Sequence, residues 1–222
     1  MAVALSLAEL PETLPVFPLV GVLLLPRGRL PLNIFEPRYV AMIEDALAAP
    51  GRLIGMIQPS GAPEAGGAPA IYPVGCAGRI VSFSESDDPR YRYLITLAGV
   101  SRFSVAAEIE GRNGYRRVRA DWTPWQTDLA APEAFAGVTR DQLLAALKAY
   151  FTVNDISADW NAIGETPDER LITTLAMVCP FSASEKQALL EARDTRARAE
   201  AVMALMAMAA PDGGDDADRT RH

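Results

Sequence analysis

The sequence predicts an α+β fold, in which a small, mostly antiparallel β-barrel with one early helix precedes an all-α C-terminal part. Residues 74–122 consist of strand-like segments separated by turn-rich connectors. The composition changes near residue 123, and the pattern after it is helical, so strands and helices do not alternate as in a doubly wound sheet. We expect a β-barrel over 12–123, a helical subdomain over 124–210 and a disordered tail over 211–222.

The first strands are predicted in an apolar stretch that prolines interrupt. Residues 16–34 predict two or three short strands, and residues 22–25 form a continuous aliphatic run of strand length. Prolines within such runs are typical of edge strands or bulges. A helix is predicted to begin at Pro37, where the missing N–H costs nothing, and to end before Pro50.

Five later segments have the pattern of strands. They are LIGMIQ (53–58), VGCAGRIVSF (74–83), YRYLITLAG (91–99), RFSVAAEIEG (102–111) and YRRVRADW (115–122). The four segments within 74–122 and the opening strands make six or seven strands, a set that closes into a small barrel more naturally than it forms a doubly wound sheet.

Three helix starts in the C-terminal part carry capping-box spacing, with a Ser or Thr three residues before a Glu or Gln. These caps are Thr139, Thr166 and Ser182, and Pro167 is expected at the first helical position. The predicted helices cover about 140–151, 167–178 and 183–209. The last is either one long helix or two helices that break near residues 194–195.

Composition disfavours several classes of function. The net charge of −7 disfavours nucleic acid and anionic membranes as partners. His222 is the only histidine, which excludes a histidine-based triad or metal site in the folded body. Cys76 and Cys179 have no metal-binding spacing and suit a reducing compartment as buried side chains. We expect no metal ion or cofactor, no membrane span and, because the N-terminus lacks a basic signal-peptide start, a cytoplasmic protein.

A Ser–Lys dyad is the catalytic arrangement that needs no histidine. Ser182 lies four residues, or one helical turn, before Lys186, one of two lysines in the chain. Ser182 is equally explained as a helix cap, and an exposed lysine stays protonated and cannot act as a base. The pattern therefore favours a solvated helix start over a peptidase site.

The segment GRNGYRRVRADWTPW combines four arginines with aromatic residues. On a strand, Tyr115, Arg117 and Arg119 share one face, and Arg116 lies on the other. Such a ribbon could stack on and neutralise single-stranded RNA. The alternative is a barrel strand whose arginines pair with acidic residues, which the acidic total favours.

The opening stretch carries more apolar side chains than an alternating strand needs to form a core. We expect most of them in the barrel core and the remainder in an exposed groove suited to extended polypeptide. Glu36 and Arg38 are expected to pair at the junction of strand and helix. The residues predicted to contribute to the groove are Phe17, Leu19, Leu30, Leu32 and Phe35.

Residues 14–47, LPVFPLVGVLLLPRGRLPLNIFEPRYVAMIEDAL, resemble the start of the Lon N-terminal domain, the substrate-recognition domain of ATP-dependent Lon proteases. YPVGCAGRIVSF is similar to a strand of that family, with Cys76 where many members have Thr. LAGVSRFSV is similar to another, with Ala98 before the glycine. PFSASEKQALLEARDTRARAEAVMALM resembles the family's closing helix, and the resemblance covers about residues 12–209.

The resemblance implies a PUA-like β-barrel followed by helices. The sequence contains no GxxxxGK[ST] motif, and we expect neither the ATPase nor the Ser–Lys protease of a full Lon. The implied function is non-enzymatic: binding exposed apolar segments of unfolded or partly unfolded proteins, or docking on an AAA+ protease or a chaperone. Two alternatives stay open, because PUA-like barrels can also bind RNA and a remnant of Ser–Lys peptidase activity would use Ser182 and Lys186.

Overall fold

The computed structural model describes residues 6–61, 68–131 and 138–209. Six strands precede the helical part, with one helix among them, so the α+β class predicted from the sequence is confirmed. The predicted tail over 211–222 lies outside the described residues. The strands are β1 (Thr13–Pro18), β2 (Arg29–Ile34), β3 (Leu53–Ile57), β4 (Val74–Glu85), β5 (Tyr93–Arg112) and β6 (Tyr115–Asp121). The helices are α1 (Pro37–Ala48), α2 (Arg140–Val153), α3 (Trp160–Glu165), α4 (Asp168–Val178), α5 (Ala183–Glu191) and α6 (Thr195–Ala209), with short 3-10 turns at Leu7–Glu9 and Thr123–Leu129.

The sheet has the strand order β2-β5-β4-β3-β1-β6, and β5 also pairs with β6. The pairings therefore return to β5, an arrangement compatible with the predicted barrel. Only β1 and β3 run parallel among the described pairings, so the sheet is mostly antiparallel, as predicted. β2 lies at the margin of this arrangement and pairs, within the described residues, with β5 alone.

Two strand predictions were wrong in the same region of the fold. Residues 22–25 form no strand, and Leu24 and Leu25 instead bury their side chains in the core from an irregular segment. The segments 91–99 and 102–111 are one continuous strand, β5. Gly99 marks a close approach rather than a turn, because a Cβ there would collide with the carbonyl oxygen of Leu25. The irregular segment thus crosses over β5 where the sequence suggested a break.

The expectation that prolines mark edge strands holds for one opening strand and not for the other. Pro31 lies in β2, an edge strand, as predicted. Pro15 lies in β1, which pairs with β6 on one side and with β3 on the other. The pairing of β1 with β3 begins at Val16, one residue after this proline, and Pro15 itself lies opposite Arg117 of β6.

The helical part follows the predicted starts except at one helix. Thr139 and Ser182 form the predicted capping boxes of α2 and α5. At α4 the predicted cap is wrong, because Pro167 is the capping residue and the Thr166 hydroxyl donates to Ala162 O at the end of α3. The six-residue α3, capped by Asp159, had not been predicted because it is too short to show periodicity.

The long last helix is two helices, α5 and α6, separated by residues 192–194. Asp194 precedes the first residue of α6, and its carboxylate accepts a hydrogen bond from Ala197 N–H in the first turn of that helix at 2.7 Å. The guanidinium of Arg102 from β5 donates to the carbonyl oxygens of Leu190 and Ala192, at 3.1 and 2.5 Å. Because a helix end leaves its last carbonyls without partners, this buried arginine stabilises the break.

The same arginine joins the strands to the helical part. Arg102 pairs with Asp128 at 2.8 Å, both nearly fully buried, and its guanidinium lies 4.0 Å from the ring centroid of Trp125. Cys76 and Cys179 are free and buried, as predicted. None of the helices in the described ranges is long and apolar enough to cross a bilayer.

Candidate functional site

A groove of about 390 Å³ opens between the end of β1, strand β2 and the first turn of α1. We call it the β2 groove. Its volume falls within the range typical of ligand sites. Its lining is mainly apolar and aromatic, and consists of Phe17, Leu19, Pro31, Leu32, Asn33, Ile34, Phe35, Glu36 and Tyr39.

The floor of the β2 groove is rigid and buried. The rings of Phe17 and Tyr39 stack with centroids 4.0 Å apart, and Ile34 is buried beside them. Burial raises the pKa of the Tyr39 hydroxyl, which therefore stays protonated at neutral pH. Closely packed residues of this kind fix the shape of the groove.

The rim of the groove exposes apolar surface. Phe35 is 58% exposed, and its ring makes an edge contact with Tyr91, at 6.1 Å between centroids. Beyond Leu19, Val20 is 68% exposed. Other large apolar side chains are exposed as well, but Phe35 lies beside an apolar groove, and apolar surface around a concave site is what a binding site has.

The structure brings together four of the five residues predicted to form a groove. Phe17 lies in the floor, Leu19 and Leu32 are half-buried in the walls, and Phe35 forms the rim. Leu30 packs against the core and does not line the groove. The alternation of β2 could have indicated Ile34, whereas Tyr39 lines the groove only because α1 turns back over β1.

Beside the groove, one backbone edge of β2 pairs with no other strand of the described ranges. The N–H of Gly99 donates to the carbonyl of Gly28 at 2.9 Å. This bond shows which residues of β2 direct their backbone groups at β5, because Gly28 and Gly99 are opposite each other in the register of the two strands. Backbone groups alternate in an antiparallel pair, so those of Arg29, Pro31 and Asn33 point away from β5. Pro31 has no N–H, so this edge presents three acceptors but only two donors.

Glu36 and Arg38 pair as predicted. The carboxylate of Glu36 accepts two hydrogen bonds from the Arg38 guanidinium, at 2.7 and 2.9 Å. The same guanidinium lies 4.6 Å from the ring centroid of Tyr39. The pair holds the first turn of α1 at one end of the groove.

The arginine ribbon has the geometry of an internal strand. β6 pairs with β1 on one side and β5 on the other, and Tyr115 is buried, with its hydroxyl donating to Asp45 at 2.8 Å. Arg116 is held by both oxygens of the Glu108 carboxylate, at 2.6 and 2.7 Å, and Arg119 lies 3.3 Å from a carboxylate oxygen of Glu12. Arg117 is partly buried on the same strand. These acidic partners reduce the positive charge that an RNA backbone would need.

Ser182 and Lys186 do not form a catalytic pair. The Ser182 hydroxyl caps α5 and bonds to the Glu185 carboxylate at 2.8 Å. The expectation that Lys186 is exposed was wrong: it is 8% exposed, and its ammonium donates to the carbonyl oxygens of Gly21 at 2.9 Å and Met177 at 3.3 Å. Burial lowers the pKa of Lys186, but its hydrogen bonds point away from the serine. The described residues also contain no cluster of acidic, Cys or His side chains that could hold a metal ion.

The chain combines a mostly antiparallel sheet, a helical part that follows it and an apolar groove beside β2, which defines a candidate binding module, and it was compared with known proteins. The family model described as the ATP-dependent protease La (LON) substrate-binding domain matches residues 13–208. The chain therefore belongs to the family of Lon substrate-binding domains, as its resemblance to the Lon N-terminal domain implied.

The chain is similar to the corresponding part of several Lon proteases. It is 27% identical to Lon protease 2 of Myxococcus xanthus over 200 residues, which cover 89% of this chain and 24% of that protein. The identity to Lon protease 2 of Sorangium cellulosum is also 27%, over 88% of this chain and 24% of the relative. The chain thus spans about a quarter of the length of these relatives.

Two solved structures share the fold. A Lon N-terminal domain protein from Xanthomonas campestris covers 86% of this chain and 97% of its own, with a TM-score of 0.55 and 24% identity. The N-terminal domain of the Mycobacterium avium complex Lon protease covers 88% and 98%, with a TM-score of 0.59 and 14% identity. At these identities the likeness concerns the fold alone.

Proposed function

We propose that this protein recognises exposed apolar segments of unfolded or partly unfolded proteins in the β2 groove and catalyses no reaction itself. The observation that supports the proposal best is Phe35, which stays 58% exposed on the rim of an apolar groove beside an open strand edge. A client segment that covers this ring removes apolar surface from water, which drives association. Membership of the Lon substrate-binding family points in the same direction.

The proposed mode of binding adds an extended segment to the edge of β2. The outward backbone groups of Arg29, Pro31 and Asn33 would bond to the client main chain, and alternate client side chains would enter the groove. Main-chain bonds carry no sequence information, so the preference would be for apolar side chains in general. A Kd of about 1 μM, or about −8 kcal/mol, is typical of so general a contact.

The biological setting that we propose follows from the relatives. They are Lon proteases of which this chain spans about a quarter, so delivery of bound segments to an AAA+ protease or a chaperone is the natural role. We propose that the part over 12–123 carries the groove and that the part over 124–210 supports it, without a cofactor and in the cytoplasm. RNA binding finds no favourable observation, because Arg116 and Arg119 already have acidic partners.

Fluorescence anisotropy of labelled, chemically unfolded casein, titrated with the protein at physiological salt, tests the proposal. We expect saturable binding that apolar peptides compete and that salt changes little, because apolar burial is insensitive to screening. Phe35→Asp should raise the Kd about tenfold, since burial of the exposed part of a phenylalanine contributes about 1–2 kcal/mol.

The matched control is Met208→Asp, which places the same charge on an apolar residue that is 80% exposed near the end of α6. It should bind casein like the wild type. If no binding is seen up to ~100 μM, which corresponds to a binding free energy weaker than about −5.5 kcal/mol, the proposal fails. Binding that falls steeply with salt and with Arg117→Glu would instead indicate RNA or another polyanion as the partner.

A further inference from the structure

The wall of the β2 groove next to Leu19 is a short turn, residues 19–21, which we call the groove turn. Leu19 N–H donates to Ile57 O at 3.0 Å, so the start of the turn is tied to β3. Gly21 has φ +70°, a left-handed conformation that favours glycine, and the chain reverses there. The position of Leu19 in the groove is therefore set by its own bond to β3 on one side and by the contacts of Gly21 on the other.

Both backbone groups of Gly21 are held by buried side chains from other parts of the chain. Its N–H donates to Oε1 of Gln58 at 3.1 Å, and its carbonyl accepts from Nζ of Lys186 at 2.9 Å. Gln58 is 2% exposed and Lys186 is 8% exposed. A turn on a protein surface usually leaves such groups to water, so this double capture is unusual.

The same two side chains reach into the helical part. Gln58 Nε2 donates to Ala183 O at 2.9 Å and to Oε1 of Gln187 at 3.1 Å, both in α5. Lys186 also lies in α5, and its ammonium donates to Met177 O at 3.3 Å, in the last turn of α4. The groove turn is thus clamped to the point where α4 ends and α5 begins.

Burying the Lys186 side chain at this position costs free energy. Burial of an ammonium disfavours its charged form, and an apolar side chain of similar length would avoid that cost. The chain contains only two lysines, and this one is directed at Gly21 and at the end of α4, where orphan helix carbonyls face it. Its bonds place the turn rather than merely fill the core.

The rest of the segment from the groove turn to β2 contacts the same helix. A Cβ on Gly28 would collide with Sδ of Met177, and Arg27 pairs with Glu169 of α4 at 2.5 Å. Close to β2, the segment that joins the two groove-forming strands therefore contacts both the first and the last turn of α4. A shift of α4 and α5 would move the groove wall.

We infer that Lys186 and Gln58 are positioning residues for client binding, through which the helical part sets the place of Leu19 in the β2 groove. The inference rests on the proposed function. Neither side chain lines the groove, so both would act through Gly21. It follows that affinity for an apolar segment depends on residues of α5 that the segment does not touch.

The test uses Lys186→Met, which keeps the length of the side chain and removes its donors, and Gln58→Met, which releases the other side of Gly21. Lys186→Arg is the conservative variant and retains donors. The control is Val202→Ala, which removes two methyl groups from a fully buried position of α6 and lowers stability without touching the turn. Kd for unfolded casein, amide hydrogen exchange of residues 19–21 in the free protein and Tm are measured for all five proteins, the wild type included.

We expect Lys186→Met and Gln58→Met each to raise the Kd about three- to tenfold, the range that loss of one or two hydrogen bonds corresponds to, and to speed amide exchange in the groove turn. Lys186→Arg should recover most of the affinity, whereas Val202→Ala should lower Tm and leave the Kd within about twofold. If Lys186→Met does not fold, Gln58→Met carries the same expectation alone.

Two results would overturn the inference while the proposed function stands. One is casein binding by the Met variants at wild-type affinity, and the other is a Kd that follows Tm equally in the Met variants and in Val202→Ala. Absence of casein binding by the wild type would overturn the proposed function and the inference with it. The exchange measurement on the free protein distinguishes the cases, because it reports the clamp whether or not a client binds.

Discussion

Strands β1 and β2 are alike in composition and different in surroundings. Each has six residues, with apolar side chains interrupted by proline. β1 pairs with β3 and β6, and its Leu14 and Val16 are fully buried. β2 pairs with β5 alone among the described strands, and its residues are mostly half-buried or exposed. The number of neighbouring strands, which composition does not report, separates a core strand from an edge strand.

The two phenylalanines of the groove show the same contrast at the level of single side chains. Phe17 and Phe35 were predicted from the sequence as equivalent members of an apolar surface. Phe17 is 7% exposed and stacks on Tyr39, whereas Phe35 is 58% exposed. One ring therefore stabilises the fold, and the other is available to a partner.

The largest expected difference between these strands is in Phe17→Asp compared with Phe35→Asp. A buried carboxylate without a partner, in place of a packed ring, should lower the free energy of unfolding by about 3–5 kcal/mol or prevent folding. Phe35→Asp should change it by less than about 1 kcal/mol, as substitutions at exposed positions usually do. Urea denaturation followed by circular dichroism measures both. Equal losses in the two variants would mean that Phe35 belongs to the core and that the groove is closed in solution.

A smaller difference is expected for a matched pair of leucines. Leu14→Ala in β1 removes a fully buried side chain and should cost about 2–5 kcal/mol of stability. Leu32→Ala in β2 removes a half-buried one, and we expect about half that loss, because part of the side chain already contacts water. The midpoints of urea denaturation give both values. A Leu32 variant as destabilised as the Leu14 variant would contradict the assignment of β2 as a half-open edge.

The sequence predicted most of the fold because the strands and capped helices carry strong local signals. The α+β order, the starts of α1, α2 and α5, and the strands β3, β4 and β6 all follow from periodicity and capping. Residues 22–25 and Gly99 misled the prediction for one shared reason. An aliphatic run and a glycine have the same pattern in a strand and in a crossing segment, and only the tertiary approach of Leu25 to Gly99 distinguishes them.

The candidate site could be predicted only in part. The surplus of apolar residues in the opening stretch indicated a groove, and four of the five residues named for it lie together. Tyr39 was not predicted as a groove residue, because nothing in the local sequence shows that the first turn of α1 faces β1. Lys186 was assigned to the solvent, because a lone lysine at a helix start is exposed in most proteins, and its carbonyl partners lie in segments distant in the sequence.

The smallest expected effect concerns the backbone edge of β2 and separates main-chain from side-chain recognition. Pro31 is the outward position without an N–H, so Pro31→Ala supplies a third donor to an added strand. If clients pair with this edge, the Kd for unfolded casein should fall about two- to fivefold, the range of one hydrogen bond worth about 0.5–1 kcal/mol. Asn33→Pro removes an outward donor and should weaken binding by a similar factor.

The two substitutions are inverse and lie two residues apart on the same strand, and because each could also change the stability of β2, stability has to be measured beside the Kd. Both variants must keep the wild-type Tm within a few degrees for the comparison to hold. Identical casein binding by both variants and the wild type would mean that clients contact only the side chains of the groove. In that case Phe35 and Leu19 carry the recognition, and Pro31 protects the edge of β2 from pairing with other strands, which is one way natural sheets avoid aggregation.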